Sequence, residues 1–275
     1  MSDFKFNGQK ANADLFASIA KLLDANDIPN VMWGPYVLAR FGAPLVHDEF
    51  AFVIPDQHID RAREVLLAAN FISCPQGDDC HFVQPIFHHP HSYAHFILEE
   101  EAQQRRDHEG QAGFWHPVRL ELHKKSRLLW TLPDIPLGAP APDDPNYMLV
   151  TDDRLDEYGP RMQLGRVPYT HYPIKIPTLP RYAESLAYGY LRNRGPAGEG
   201  HSLRAGFFLY DLGYIAEYCK LDPADLEPRI RRFWRIWDNP RSSQPLFRYS
   251  ARLAAELREA NFFPQEDPED EQQSE

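Results

Sequence analysis

The chain is expected to be an α/β (α+β) protein: a small mixed sheet with helices in its N-terminal half, then a helical C-terminal region. Three observations predict this. Apolar residues recur at helical spacing near 12–25 and 57–69, with short apolar runs of strand type between and after them. Ten prolines then fall between Pro133 and Pro180, a density that interrupts regular structure. Beyond Pro180 the period turns helical again. Stretch 1–131 therefore reads as an α/β core and 132–180 as a proline-rich connector that wraps rather than folds. A helical region is expected over 181–263 and a disordered acidic tail over 264–275.

Each element has a local reason. In the first helix Asn12 is a cap, Asp14 sits in the first turn, and Leu15, Phe16, Ile19, Leu22 and Leu23 form one stripe. Ile28-Pro29 ends it, and a short strand follows to Trp33. A short helix runs from Tyr36 to Phe41 and stops at Gly42. The compact run Phe50 to Ile54, closed by Pro55, reads as a buried strand. In the next helix Ile59, Ala62, Val65, Leu66 and Ala69 keep the spacing, and Asn70 closes it. Weaker strands are expected over 80–83 and 94–98, with a charged exposed loop over 99–111. From Val118 to Lys124 the pattern alternates: Val118, Leu120 and Leu122 on one face, Arg119, Glu121 and His123 on the other. Period two predicts a strand with one face buried. Short extended pieces are expected over 147–151 and 172–176, and helices near 180–193, 203–220, 224–238 and 248–260.

Composition removes several classes of function. With 275 residues, 43% of them hydrophobic, the chain can bury a large core. No apolar run approaches the ~18–20 residues that span a bilayer, and MSDFKFNGQK does not read as a secretory leader. No membrane partner is expected, and the setting is cytoplasmic or nuclear. The last twelve residues, PQEDPEDEQQSE, hold six acids and no base, which is more than half of the net charge of −11. That balance opposes broad nucleic-acid binding but is compatible with a nucleotide or small molecule held by a few local charges. Three cysteines, Cys74, Cys80 and Cys219, suit a reducing compartment; Cys74 and Cys80 are close enough to meet across a loop.

The stretch Trp33 to Asp56, WGPYVLARFGAPLVHDEFAFVIPD, carries the strongest functional signal. It runs strand end, Gly34-Pro35 turn, short helix, Gly42, the acids Asp48 and Glu49, then a buried strand closed by Pro55-Asp56. With the preceding helix and the following one ending in AANF at 68–71, this order resembles the minimal nucleotidyltransferase superfamily, over about residues 12–125. The C-terminal half is similar to the helical region that often follows such a core. The resemblance implies three carboxylates around two magnesium ions that bridge the phosphates of a nucleoside triphosphate. Carried over by position, Glu49 falls on the first acid of the Asp-x-Asp strand, Ala51 on the second, and Glu121 on the third. Asp48 is adjacent. Gly34 matches the first residue of the phosphate-facing turn; Pro35 replaces the second and removes a backbone N–H.

Three readings follow. The first is a divergent nucleotidyltransferase-fold protein with weakened or lost catalysis, acting through a cleft that binds a ligand or a protein partner. The second is an active enzyme moving a nucleoside monophosphate from magnesium–NTP to a small-molecule or protein acceptor. There Asp48, Glu49 and Glu121 are the catalytic and metal residues, and Gly34, Lys124, Lys125 and Arg192 contact the nucleotide. The third is a non-enzymatic scaffold, which needs neither metal nor nucleotide.

Other clusters are weighed beside these. His81, His88, His89, His91 and His95 contain metal-ligating groups, but Pro90 interrupts them and solvated loop histidines are the plainer account. Arg229, Arg231, Arg232 and Arg235 share a helix with the apolar stripe Ile230, Phe233, Trp234 and Trp237. They read as a solvated basic face or as a row over phosphate. Tyr182, Tyr188, Tyr190, Tyr210, Tyr214 and Tyr218 read as core packing or as a base-stacking cleft.

Overall fold

A computed structural model describes residues 4–45, 49–77, 80, 90–99, 118–157, 159, 165–168, 171–194, 203–237 and 244–265. Asp48, His81, His88 and His89 lie outside the described residues. So do residues 81–83 of the strand expected over 80–83, most of the 99–111 loop and nearly all of the acidic tail.

Helix α1 (Ala13–Asp24) forms as its sequence dictates. The Asn12 side chain accepts the backbone N–H of Asp14 and Leu15, and Leu15, Phe16, Ile19, Leu22 and Leu23 are buried. Strand β1 (Val31–Trp33) leads through Gly34 into α2 (Pro35–Arg40). Gly34 has φ +86°, so the turn favours glycine, while Pro35 fits the first helical position because its missing N–H has no helical partner to lose. Strand β2 (Glu49–Ile54) is followed by a 3₁₀ turn at Asp56–His58 and by α3 (Ile59–Ala68). Strands β3 (Ile72–Ser73) and β4 (Ala94–Glu99) come next, then β5 (Val118–Lys124) and the short α4 (Lys125–Leu128).

The five strands form one mixed sheet in the order β1-β2-β5-β4-β3. β2 and β5 run parallel; the other pairs are antiparallel. Both central strands are enclosed. α1 covers one face, where Phe16 packs on Phe50 with ring centroids 4.1 Å apart. The helical region covers the other, where Trp33 meets Tyr182 at 5.5 Å and Phe208 at 6.4 Å. The alternating strand expected to be half-buried is therefore buried on both faces: Arg119 and His123 are each 1% exposed and Glu121 6%. Its polar side is satisfied within the sheet, by the contacts among Glu49, Arg119, Glu121 and His123.

The proline-rich stretch contains regular structure of its own. β6 (Tyr147–Leu149) pairs antiparallel with β7 (Lys175–Pro177), and the Val150 N–H donates to the Ile174 carbonyl at 2.9 Å. Tyr147, Val150, Ile174 and Ile176 are buried in the same core as the sheet. Lys175 is fixed by an ion pair to Asp24 at 3.0 Å, which also accepts from the Tyr172 hydroxyl and the Asn30 amide. The prolines set the ends of short pieces rather than preventing their pairing.

The helical region comprises α5 (Leu179–Asn193), α6 (Leu203–Tyr218), a 3₁₀ turn at Pro223–Asp225, α7 (Pro228–Trp237) and α8 (Gln244–Glu259). α5 and α6 approach closely because Gly189 has no side chain: a Cβ there would sit 2.4 Å from the Phe208 ring. One hydrophobic core runs from Phe6 through the connector to Leu257. No helix among the described residues is long and apolar enough to cross a membrane.

Candidate functional site

Register decides which sequence-predicted residues meet. In the parallel β2–β5 pair, Glu49 lies opposite Arg119, Ala51 opposite Glu121 and Val53 opposite His123. In the neighbouring pairs Trp33 lies opposite Ala51, and His95 opposite Glu121. Residues paired this way share a face of the sheet. Trp33, Ala51, Glu121 and His95 thus form a row across it, with Glu49 and Arg119 one step along.

Glu49 and Glu121 are joined through Arg119. Its Nη2 donates to Glu49 Oε2 at 2.5 Å, and its Nε donates to Glu121 Oε1 at 2.6 Å. The other oxygen of Glu121 is 3.0 Å from His123 Nε2. The side chains of Arg119 and Glu121 are 1% and 8% exposed, and that of Glu49 is 15% exposed. Burial pushes the Glu121 carboxyl up, but the Arg119 charge and the His123 contact outweigh it and hold the group near about 2. Glu121 is therefore ionised across the physiological range, and its contribution to stability is lost as pH falls from 4.5 to about 2. Arg119 and His123 are the residues that sequence reasoning passed over. The signal was present: both stand at period two from Glu121, and a polar face on an enclosed strand must pair internally.

Gly34 is close to this group. A Cβ added to it would lie 4.0 Å from Glu49 Oε1. Beyond Trp33 stands a further carboxyl, Asp211 on α6. It is 3% exposed, and its Oδ2 has no hydrogen-bond partner. Burial raises it to about 7, with the Tyr182 phenol pulling partway back. Tyr182 is itself pushed well above its usual range by burial, with Asp211 and Glu49 adding to the shift. Asp211 was legible in principle, because it falls on the stripe that buries Phe208, Leu212 and Ile215.

The lysines are not brought to the carboxylates. Lys124 pairs with Ile54 at the far end of β2, five residues beyond Arg119 and so about 16 Å along the strand. Its ammonium lies 5.3 Å over the Tyr93 ring. Lys125 donates to the Leu132 carbonyl at 2.7 Å, and burial lowers its pKa. Arg192 sits at the end of α5, 5.6 Å over the Trp130 ring. The α7 arginines are partly structural: Arg231 donates to the carbonyls of Ala224 and Leu226, and Arg232 lies over Tyr249. The tyrosines divide. Tyr182, Tyr188 and Tyr190 are buried, whereas Tyr210 and Tyr218 are exposed and form a row with Tyr214 along α6.

Two cavities lie away from the Glu–Arg–Glu group. The larger, about 420 Å³, opens between the end of α2, the connector and the start of α5, with Arg40, Arg154, Arg181 and Lys220 in its lining. The smaller, about 220 Å³, shares Arg40 and adds Tyr36, Asp14 and His171.

No family model matches the chain, and no curated protein sequence matches it. Among solved structures, a crystal structure of an antigenic nucleotidyltransferase-like protein from Paracoccidioides brasiliensis is similar at 15% identity. The match covers 93% of this chain and 94% of that one, with a TM-score of 0.38. A likeness that loose says nothing about chemistry.

Proposed function

We propose that this is a divergent nucleotidyltransferase-fold protein whose metal-dependent transfer is lost or much weakened, and which acts by binding a ligand or partner. One observation carries the reading: the guanidinium of Arg119 stands between Glu49 and Glu121, where carboxylates of an active site would share a magnesium ion. A tethered cation with bidentate-capable geometry and 1% exposure competes with magnesium at no cost in chain entropy. The residue facing Glu121 is Ala51, which supplies no oxygen to a hard cation. The two carboxylates share the Arg119 guanidinium, and Glu121 also contacts the His123 ring. The cavity beside α2, where Arg40, Arg154, Arg181 and Lys220 stand with Asp156 and Asp225, is the alternative place for a small polar ligand.

Calorimetric titration of ATP, CTP, GTP and UTP, with and without magnesium, tests this. The expected result is that magnesium adds nothing to binding of any of the four. Magnesium-dependent binding that Glu49→Gln and Glu121→Gln both weaken would instead establish the active reading. That reading draws on the ionised state of Glu121, which is what a metal ligand requires.

A further inference from the structure

A second cluster of ligating side chains lies at the β3–β4 edge, and it does not depend on the reading above. Cys74 follows β3, and its N–H donates to the His95 carbonyl at 3.2 Å, extending the pairing in which Ser73 faces Phe96. Cys74 and His95 therefore stand opposite one another and project to the same face. Two successive turns then carry the chain back. Gly77 N–H donates to the Cys74 carbonyl and Cys80 N–H to the Gly77 carbonyl, each at 3.2 Å. The result places one ligand atom each from Cys74, Cys80 and His95 within 4.8 Å of the others.

All three residues are buried, at 8%, 1% and 8% exposure. Cys74 and Cys80 carry thiols rather than a disulfide. Among the described residues, Ile97 and the two cysteines make a small apolar cluster separate from the main core. β3 is only two residues long. Such an edge gains most from a cross-link.

We propose that Cys74, Cys80 and His95 bind a zinc ion that ties β3 and the following turn to β4. Two thiolates and an imidazole are the donor set zinc prefers, while magnesium and calcium take oxygen. Bond lengths of about 2.3 Å to sulfur and 2.0–2.1 Å to nitrogen put tetrahedral ligand atoms ~3.5–3.8 Å apart. Closing from within 4.8 Å is a side-chain adjustment, not a backbone rearrangement. Three protein ligands leave the fourth tetrahedral position to water or a further donor. Binding releases thiol protons as the thiolates form. His95 faces Glu121 across the strand pair, so an ion here also fixes the wall beside the Glu–Arg–Glu group.

The test uses the full chain, purified under reductant and without chelator. Elemental analysis should find about one zinc per chain. After exchange, cobalt(II) should give a thiolate charge-transfer band and the intense visible bands of a tetrahedral site. Cys74→Ser, Cys80→Ser and His95→Asn should each lose the zinc, while Cys219→Ser should keep it. Chelation should lower Tm, and added zinc should restore it. The proposal is overturned if the folded parent chain, which needs no variant to fold, retains no zinc and gives no thiolate–cobalt band. A Cys74–Cys80 disulfide in the reduced preparation, or zinc retained by all three ligand variants, would overturn it equally.

Discussion

Two buried charge groups tie the chain together, and they are built differently. Among the described residues Asp24 meets a single cation, Lys175, and its carboxylate also accepts from Tyr172 and Asn30. One acid, one base and two neutral donors make a balanced clamp whose task is to hold the connector on α1. The group on β2 and β5 sets two carboxylates against one guanidinium and one imidazole. Buried acids that outnumber their fixed cation are unnecessary for a clamp. On the proposed reading, they remain from a strand pair that held metal before an arginine took the metal's place.

That contrast can be broken at its strongest point first. Arg119→Met should cost about 3–5 kcal/mol by urea unfolding, because it leaves two neighbouring carboxylates without their shared cation. Added magnesium should recover part of the loss in the variant and none in the parent. Lys175→Met should cost less, about 2–3 kcal/mol, since Asp24 keeps its two neutral donors. Magnesium should not help there, and rescue of both variants alike would erase the distinction. Asp211→Asn tests the same face through pH. Between about 4 and 7 the folded chain holds a proton on Asp211 that the unfolded chain has released, so stability falls as pH rises through that window. The variant should flatten that slope, which is at most about 1.4 kcal/mol per pH unit. Smallest is Asn12→Ala, which removes the α1 cap for about 1 kcal/mol and should leave the charge groups undisturbed.

The elements that sequence predicted well are those set by local rules. Asn12 with its stripe, Gly34-Pro35 at a helix start, and Asn70 at φ +69° each act within one turn. The partners of Glu49 were less legible because they depend on register across the chain. Alternation assigned Arg119, Glu121 and His123 to one face but left that face to solvent, since nothing local reveals that the fold buries it. The short extended pieces of the connector were legible, but their pairing and burial were not, for a related reason. Ile174 and Ile176 alternate with Lys175, and only the distant Asp24 makes a buried lysine tolerable. Cys74, Cys80 and His95 were each noticed in sequence, yet their convergence required the two turns through Gly77.

The parallel pairing of β2 with β5 also bears on how fast this protein assembles. Glu49 and Arg119 are 70 positions apart, and the strands β3 and β4 that complete the sheet lie in the intervening chain. Closing so long a loop comes before any reward from the contacts it makes. The central pair, with its charges leaving water at the same moment, should therefore be among the last parts to form. Until then β2 is an apolar strand with its β5 edge open, and refolding yield should fall with protein concentration before it falls with temperature.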